Sequence, residues 1–120
     1  MNADELDPER LLPLTPAVFH ILLALADGER HGYAIMKNVK ETTVGQIRLG
    51  PGTLYGTIKR LIEGRLIEES DERPDFELDD ERRRYYRLTD FGGRVARAEV
   101  QRLSRMVNLA QAKKLVDRYA

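Results

Sequence analysis

The stretch that most constrains this chain is Arg48-Leu49-Gly50-Pro51-Gly52-Thr53-Leu54-Tyr55-Gly56-Thr57-Ile58-Lys59-Arg60-Leu61-Ile62-Glu63-Gly64, which reads as a helix with one apolar side and one bare side. Pro51 suits a first helical position, because its fixed φ fits the helix and its missing N–H is unpaired there anyway. Gly64 suits the exit. Leu54, Ile58, Leu61 and Ile62 recur at i, i+4, i+7 and i+8, which makes one stripe that can pack on a core. The opposite side carries Gly52, Thr53, Gly56, Lys59, Arg60 and Glu63, with Tyr55 on its flank. A glycine inside a helix costs about 1 kcal/mol against Ala, so two on an exposed face call for something that comes close to the backbone. A DNA groove is such a thing. An ordinary amphipathic surface helix has the same periodicity, so the neighbouring elements have to decide.

Residues 1–13 are acidic at first and then reach Leu11-Leu12-Pro13, an arm or a short helix that docks on a partner. Thr15-Pro16 reads as a cap and first turn, and Val18, Phe19, Ile21, Leu22, Leu23 and Leu25 make the following helix apolar almost all round, ending at Asp27-Gly28. A second helix runs from about Gly32 to Thr43 with Ile35, Met36 and Val39 inward and Lys37 and Lys40 outward. Residues 44–50 then leave room only for a turn, which gives helix, turn and a recognition-like helix. Leu66–Glu69 and Tyr85–Leu88 read as two strands of a hairpin with a long charged tip. Thr89 can cap a last helix running toward Tyr119, although Gly92 and Gly93 weaken its first turn.

That last helix would be about 45 Å long at 1.5 Å per residue, more than a small domain is wide. Its apolar stripe includes Phe91, Val95, Leu103, Met106, Val107 and Ala110. A second copy of the chain is the economical partner for the stripe, because a two-fold axis lets it satisfy its own equivalent. A helix folded back on its own core is the competing reading. The expected fold is mainly α with a small β-hairpin, a winged helix-turn-helix over residues 14–88 followed by a long C-terminal dimerisation helix over residues 89–120.

The chain has 120 residues, one domain's length, and no cysteine, which excludes a disulfide framework and a thiolate metal site and fits a reducing cytoplasm. No run approaches the roughly 18 apolar residues of a membrane span, so no membrane partner is expected. Twenty basic residues balance twenty acidic ones. The zero sum hides separated charge: from Glu68 to Glu81 nine acids meet one base, and from Arg82 to Arg87 four arginines follow in six residues.

His31-Gly32-Tyr33, Leu49-Gly50-Pro51-Gly52-Thr53-Leu54-Tyr55, Lys59-Arg60-Leu61, Gly64-Arg65-Leu66-Ile67 and Arg83-Arg84-Tyr85-Tyr86-Arg87-Leu88-Thr89 together resemble the successive motifs of the PadR family of bacterial transcriptional regulators. The long last helix is similar to that of the family's short subgroup. The resemblance implies a homodimeric repressor that places the helix from Pro51 in the major groove of a palindromic double-stranded operator and is released by a small-molecule effector. It implies DNA contacts at Tyr33, Thr53, Tyr55, Lys59, Arg83 and Arg84. Two departures are Gly50, where the family usually has Ser, and Gly56, where Pro usually follows the Tyr. The acids of the wing tip, from Asp71 to Glu81, would be repelled by phosphates.

The chemistry of the residues is consistent with that reading. Thr53 and Tyr55 suit a thymine methyl or a phosphate, and Lys59 or Arg60 a guanine or the backbone. Tyr55 packing on the wing and Arg60 pairing with Glu63 or Glu41 are the alternatives. His20 reads as a hydrogen-bonded core residue and His31 as ordering the turn before helix two. Two histidines without cysteine leave no metal site, and no cofactor is expected. The dense carboxylates have no cleft, nucleophile or phosphate loop beside them, so the chain is not expected to be an enzyme. Phe19, Phe91, Val95 and Met106 could line an effector space but are explained as core and dimer packing. The alternative function is a winged-helix protein–protein interaction module.

Overall fold

A computed structural model describes residues 7–70 and 84–116 of the chain. Four helices and a three-stranded sheet follow in the order α1 (Pro16–Ala26), β1 (Arg30–His31), α2 (Gly32–Thr42), α3 (Pro51–Glu63), β2 (Ile67–Ser70), β3 (Tyr85–Leu88) and α4 (Asp90–Ala112). The expected hairpin is present, and the two residues of β1 add a third antiparallel strand, in the order β1-β3-β2. Two residues are too short for a periodic signal, which is why β1 was not legible in the sequence. Its pairing sets Arg30 opposite Tyr86 and His31 opposite Tyr85, which ties the start of α2 to the wing.

The core is one cluster drawn from every helix and the sheet: Ile21, Leu22 and Leu25 of α1, Ile35 and Val39 of α2, Leu54, Ile58 and Leu61 of α3, Ile67 and Tyr86 of the wing, and Val95 of α4. The apolar stripe of α3 differs from the expected one at its edge. Ile62 is exposed, and Thr57 is buried in its place with its hydroxyl donating to the Thr53 carbonyl. That bond satisfies a hydroxyl which burial alone would have penalised. Leu23 points outward from the otherwise buried α1.

Caps explain where the helices start. Thr15 Oγ1 accepts from Val18 N, His31 Nδ1 from Ala34 N and Thr89 Oγ1 from Gly92 N, so His31 does order the entry to α2. Gly50 gives α3 no side-chain cap. The helix ends share one device. After α2, α3 and α4 the chain turns through a left-handed residue, Val44, Arg65 and Lys114, and the next N–H reaches back to Lys40, Leu61 and Ala110 respectively. None of the three is glycine. At α3 the left-handed residue is therefore Arg65, and Gly64 keeps a helical φ of −82°. The same device ends α4 at Ala112, well short of Tyr119, which lies outside the described residues.

A 3₁₀ turn at Pro8–Leu11 packs on the chain's own α4. Beside it, Leu14 N donates to Glu99 Oε2 at 2.7 Å, and Glu99, 1% exposed, also accepts from Arg102. Arg102 holds the Glu99 carboxyl below the usual range against the opposing effect of burial. Gly92 also differs from expectation. A side chain there would run into the Leu66 carbonyl, so the glycine admits a close approach between α4 and the wing.

Candidate nucleic-acid interface

The outer face of α3 is open backbone. Among the described residues, a Cβ placed on Gly50, Gly52 or Gly56 would meet nothing within 4 Å, so none of them requires those glycines. Around them Thr53, Lys59 and Arg60 are exposed, and Arg60 Nη2 donates to Thr57 Oγ1 at 3.2 Å, not to Glu63 or Glu41. At about 1.5 Å per residue, the 13 residues of α3 form a rod roughly 20 Å long. Its unobstructed side is narrow enough for a B-DNA major groove, about 12 Å wide.

Tyr55 lies at the flank of that face. Its ring covers Gly32, where any side chain would collide with the phenol, yet the residue keeps 47% of its surface. Gly32 is therefore the seat of Tyr55, and the packing fixes the phenol at the junction of α2, α3 and the sheet. Tyr33, one residue on, is 64% exposed with its ring stacked on His31 at 6.3 Å between centroids. Tyr85 meets the other side of His31 edge-on at 5.5 Å. The start of α2 thus carries Tyr33 on His31 and receives Tyr55 of α3 over Gly32.

Three further cations join this side. Tyr33, Met36, Lys37, Lys40, Glu41, Val44, Gly45, Arg48 and Leu49 line an open cleft of about 740 Å³ between α2 and the turn before α3. Among the described residues, no ion pair engages Lys37, Lys40 or Arg48. Sequence reasoning placed Lys37 and Lys40 outward without assigning them a role; their i+4 and i+7 spacing from Tyr33 was the available signal.

The wing base carries charge differently. Arg84 Nη1 lies 2.9 Å from Glu69 Oε1, and Arg87 Nε lies 2.9 Å from Glu68 Oε1. The bond to Glu69 raises the already high pKa of Arg84, so the arginine is charged but paired. Burial raises that of Tyr86, first among its causes. Arg83 and the acidic tip lie outside the described residues.

The residues assigned to dimerisation divide. Val95 is fully buried in the chain's own core and has no surface to offer a partner; Phe91 also packs against that core. Met106 and Val107 are about half exposed, Leu103 and Ala110 less so, and Leu109 adds to them. His20 is half-buried, its ring tilted against Phe19, with no hydrogen bond among the described residues. Those residues contain no cluster of three metal-ligating side chains and no helix long and apolar enough to cross a membrane.

Comparison with known proteins agrees with this geometry. The sequence model of the transcriptional regulator PadR-like family matches residues 21–98. A PadR family transcription regulator from Clostridium difficile R20291 is similar at 25% identity and a TM-score of 0.67, over 82% of this chain and 97% of that one. A transcriptional regulator from Clostridium thermocellum is similar at 25% identity and a TM-score of 0.65, over 84% of this chain and 90% of that one. Bacillus subtilis PadR in complex with operator DNA shares the fold at 24% identity and a TM-score of 0.60, over 73% of this chain and 47% of that one. An uncharacterized 37.1 kDa protein in transposon TN4556 of Streptomyces fradiae is 36% identical over 86 residues, 72% of this chain; the chain spans only 22% of that protein's length.

Proposed function

Because the chain belongs to the PadR-like family of transcriptional regulators, we propose that it is a ligand-responsive repressor that binds a palindromic operator as a homodimer. The observation that carries this reading is the open face of α3. Gly50, Gly52 and Gly56 leave backbone bare where nothing among the described residues needs it, with Thr53, Tyr55, Lys59 and Arg60 around them. A protein of the same fold, Bacillus subtilis PadR, forms a complex with operator DNA.

In this mechanism α3 enters the major groove. Thr53 and Tyr55 meet a thymine methyl or a phosphate, Lys59 and Arg60 reach a guanine edge or the backbone, and Tyr33 with Lys37, Lys40 and Arg48 takes phosphates beside the groove. Arg83 and Arg84 reach the backbone at the wing. A second copy packs on the Leu103, Met106, Val107 and Ala110 stripe of α4 and sets a second α3 roughly 34 Å away, one turn along the duplex. The effector acts between the subunits, and the protein works in the cytoplasm without catalysing a reaction.

Fluorescence anisotropy of a labelled duplex from upstream of the chain's own gene, against a scrambled duplex across a salt series, tests this reading. Lys59→Ala should weaken binding and lower the salt slope by about one. Gly56→Leu is the sharper variant. It should stabilise the fold by somewhat under 1 kcal/mol, since a helix interior prefers Leu, while weakening DNA binding at least tenfold. Retained affinity in Gly56→Leu would remove the groove-binding role of α3. Sedimentation of Val107→Glu should show monomers at micromolar concentration where the wild type is a dimer.

A further inference from the structure

The cations around α3 differ in one respect that bears on how DNA is chosen. Lys37, Lys40 and Arg48 have no ion pair among the described residues, whereas Arg84 meets DNA, on the reading above, with a carboxylate already attached. Glu69 stands opposite Tyr86 in the β2–β3 ladder, and Arg84 lies two residues before Tyr86, so the pair spans the two strands diagonally on one face of the sheet. Tyr86 is buried in the core cluster that also holds Leu54, Ile58 and Leu61 of α3, and α3 packs on β2. The Glu69–Arg84 pair therefore belongs to the face of the sheet that turns toward the helices. Glu68 and Arg87 pair directly across the same ladder on the opposite face.

We propose that Glu69 is an intramolecular competitor for Arg84, a carboxylate that a DNA phosphate must displace before the wing base can engage. It occupies the guanidinium through Nη1 in the free protein at 2.9 Å, with both side chains substantially exposed at 67% and 46%. Solvent screens such a pair, so displacing it costs a factor of about five at most. The effect is to remove Arg84 from casual contacts. A duplex gains the Arg84 contact only when its phosphate is placed well enough to outcompete a preformed partner. Glu69 is a specificity-setting residue in this scheme and touches no base. The inference rests on the DNA-binding reading.

The test is a double-mutant cycle in the anisotropy assay, using the full chain and both duplexes. Glu69→Gln keeps the side chain's shape and removes its charge, and should tighten binding by up to about fivefold, with the scrambled duplex gaining at least as much as the operator. Arg84→Ala should weaken operator binding and abolish the gain from Glu69→Gln. Glu68→Gln, the same change in net charge on the other face, should leave affinity unchanged. A gain from Glu69→Gln that survives in the Arg84→Ala background would show general charge relief and overturn the proposal. So would an unchanged affinity in Glu69→Gln, or in Arg84→Ala, while the wild type binds. Absence of salt-dependent binding by the wild type itself would remove the DNA reading and this inference with it, and the wild-type arm shows that before any variant is compared.

Discussion

Glu99–Arg102 in α4 and Glu69–Arg84 at the wing are built from the same two groups and set in opposite surroundings. Glu99 is almost wholly enclosed, and its second oxygen accepts the Leu14 N–H, so one carboxylate fastens both an arginine and the N-terminal arm. Glu69 is about half exposed and, among the described residues, has one cationic partner, Arg84. In the first surroundings a charge is expensive to leave unpaired, and the pair must stay closed. In the second, solvent replaces either partner cheaply, and the pair is free to open. An ion pair in this chain is thus structural or exchangeable according to its burial.

The largest effect is expected at Glu99. Glu99→Ala should destabilise the fold by about 2 kcal/mol, because the Leu14 N–H loses its acceptor in a buried setting, read as a lower denaturant midpoint at unchanged slope. A cost near zero would show that Glu99 is as exchangeable as Glu69. Acid should act on the same site. The folded carboxyl titrates below its unfolded value, so its contribution is complete above about pH 4.5 and is lost as pH falls through the lower folded value. Stability measured from pH 6 to pH 3 should therefore fall more steeply for the wild type than for Glu99→Gln. Salt should sharpen the contrast further. Molar sodium chloride screens exposed charges within about 3 Å and should erase the stability difference between the wild type and Glu69→Gln while leaving that of Glu99→Gln in place. The smallest effect belongs to Glu69→Gln at low salt, whose loss of stability should stay below about 1 kcal/mol, read as a slight drop in the denaturant midpoint.

What the sequence disclosed follows the range of the signals. The α-helices and the two longer strands announce themselves through periodicity, Pro51 and the Thr15 and Thr89 caps, all of which act within a few residues. The candidate face of α3 was equally plain, since the glycines and their cationic neighbours repeat at helical spacing. Contacts between distant segments were not. Nothing near Glu99 in the chain announces Leu14, 85 residues away, as its partner. Gly32 looked like a helix start until Tyr55 was found lying across it, and Gly92 looked like a weakness until the Leu66 carbonyl filled the space. Val95 was placed on a dimer face because helical spacing cannot tell a stripe facing its own core from one facing a partner. The end of α4 was missed because its left-handed residue is Lys114, a type that carries no turn signal.

Gly92 has one more effect, of a mechanical kind. Thr89 binds the Leu66 carbonyl through both its N–H and its hydroxyl, and Gly92 brings the first turn of α4 onto that same oxygen with no side chain between them. The joint has no padding to absorb a rotation. The 23 residues of α4 extend about 34 Å beyond it, so each degree of tilt at the wing moves the far end by about 0.6 Å, a lever whose short arm is a strand and whose long arm is a helix.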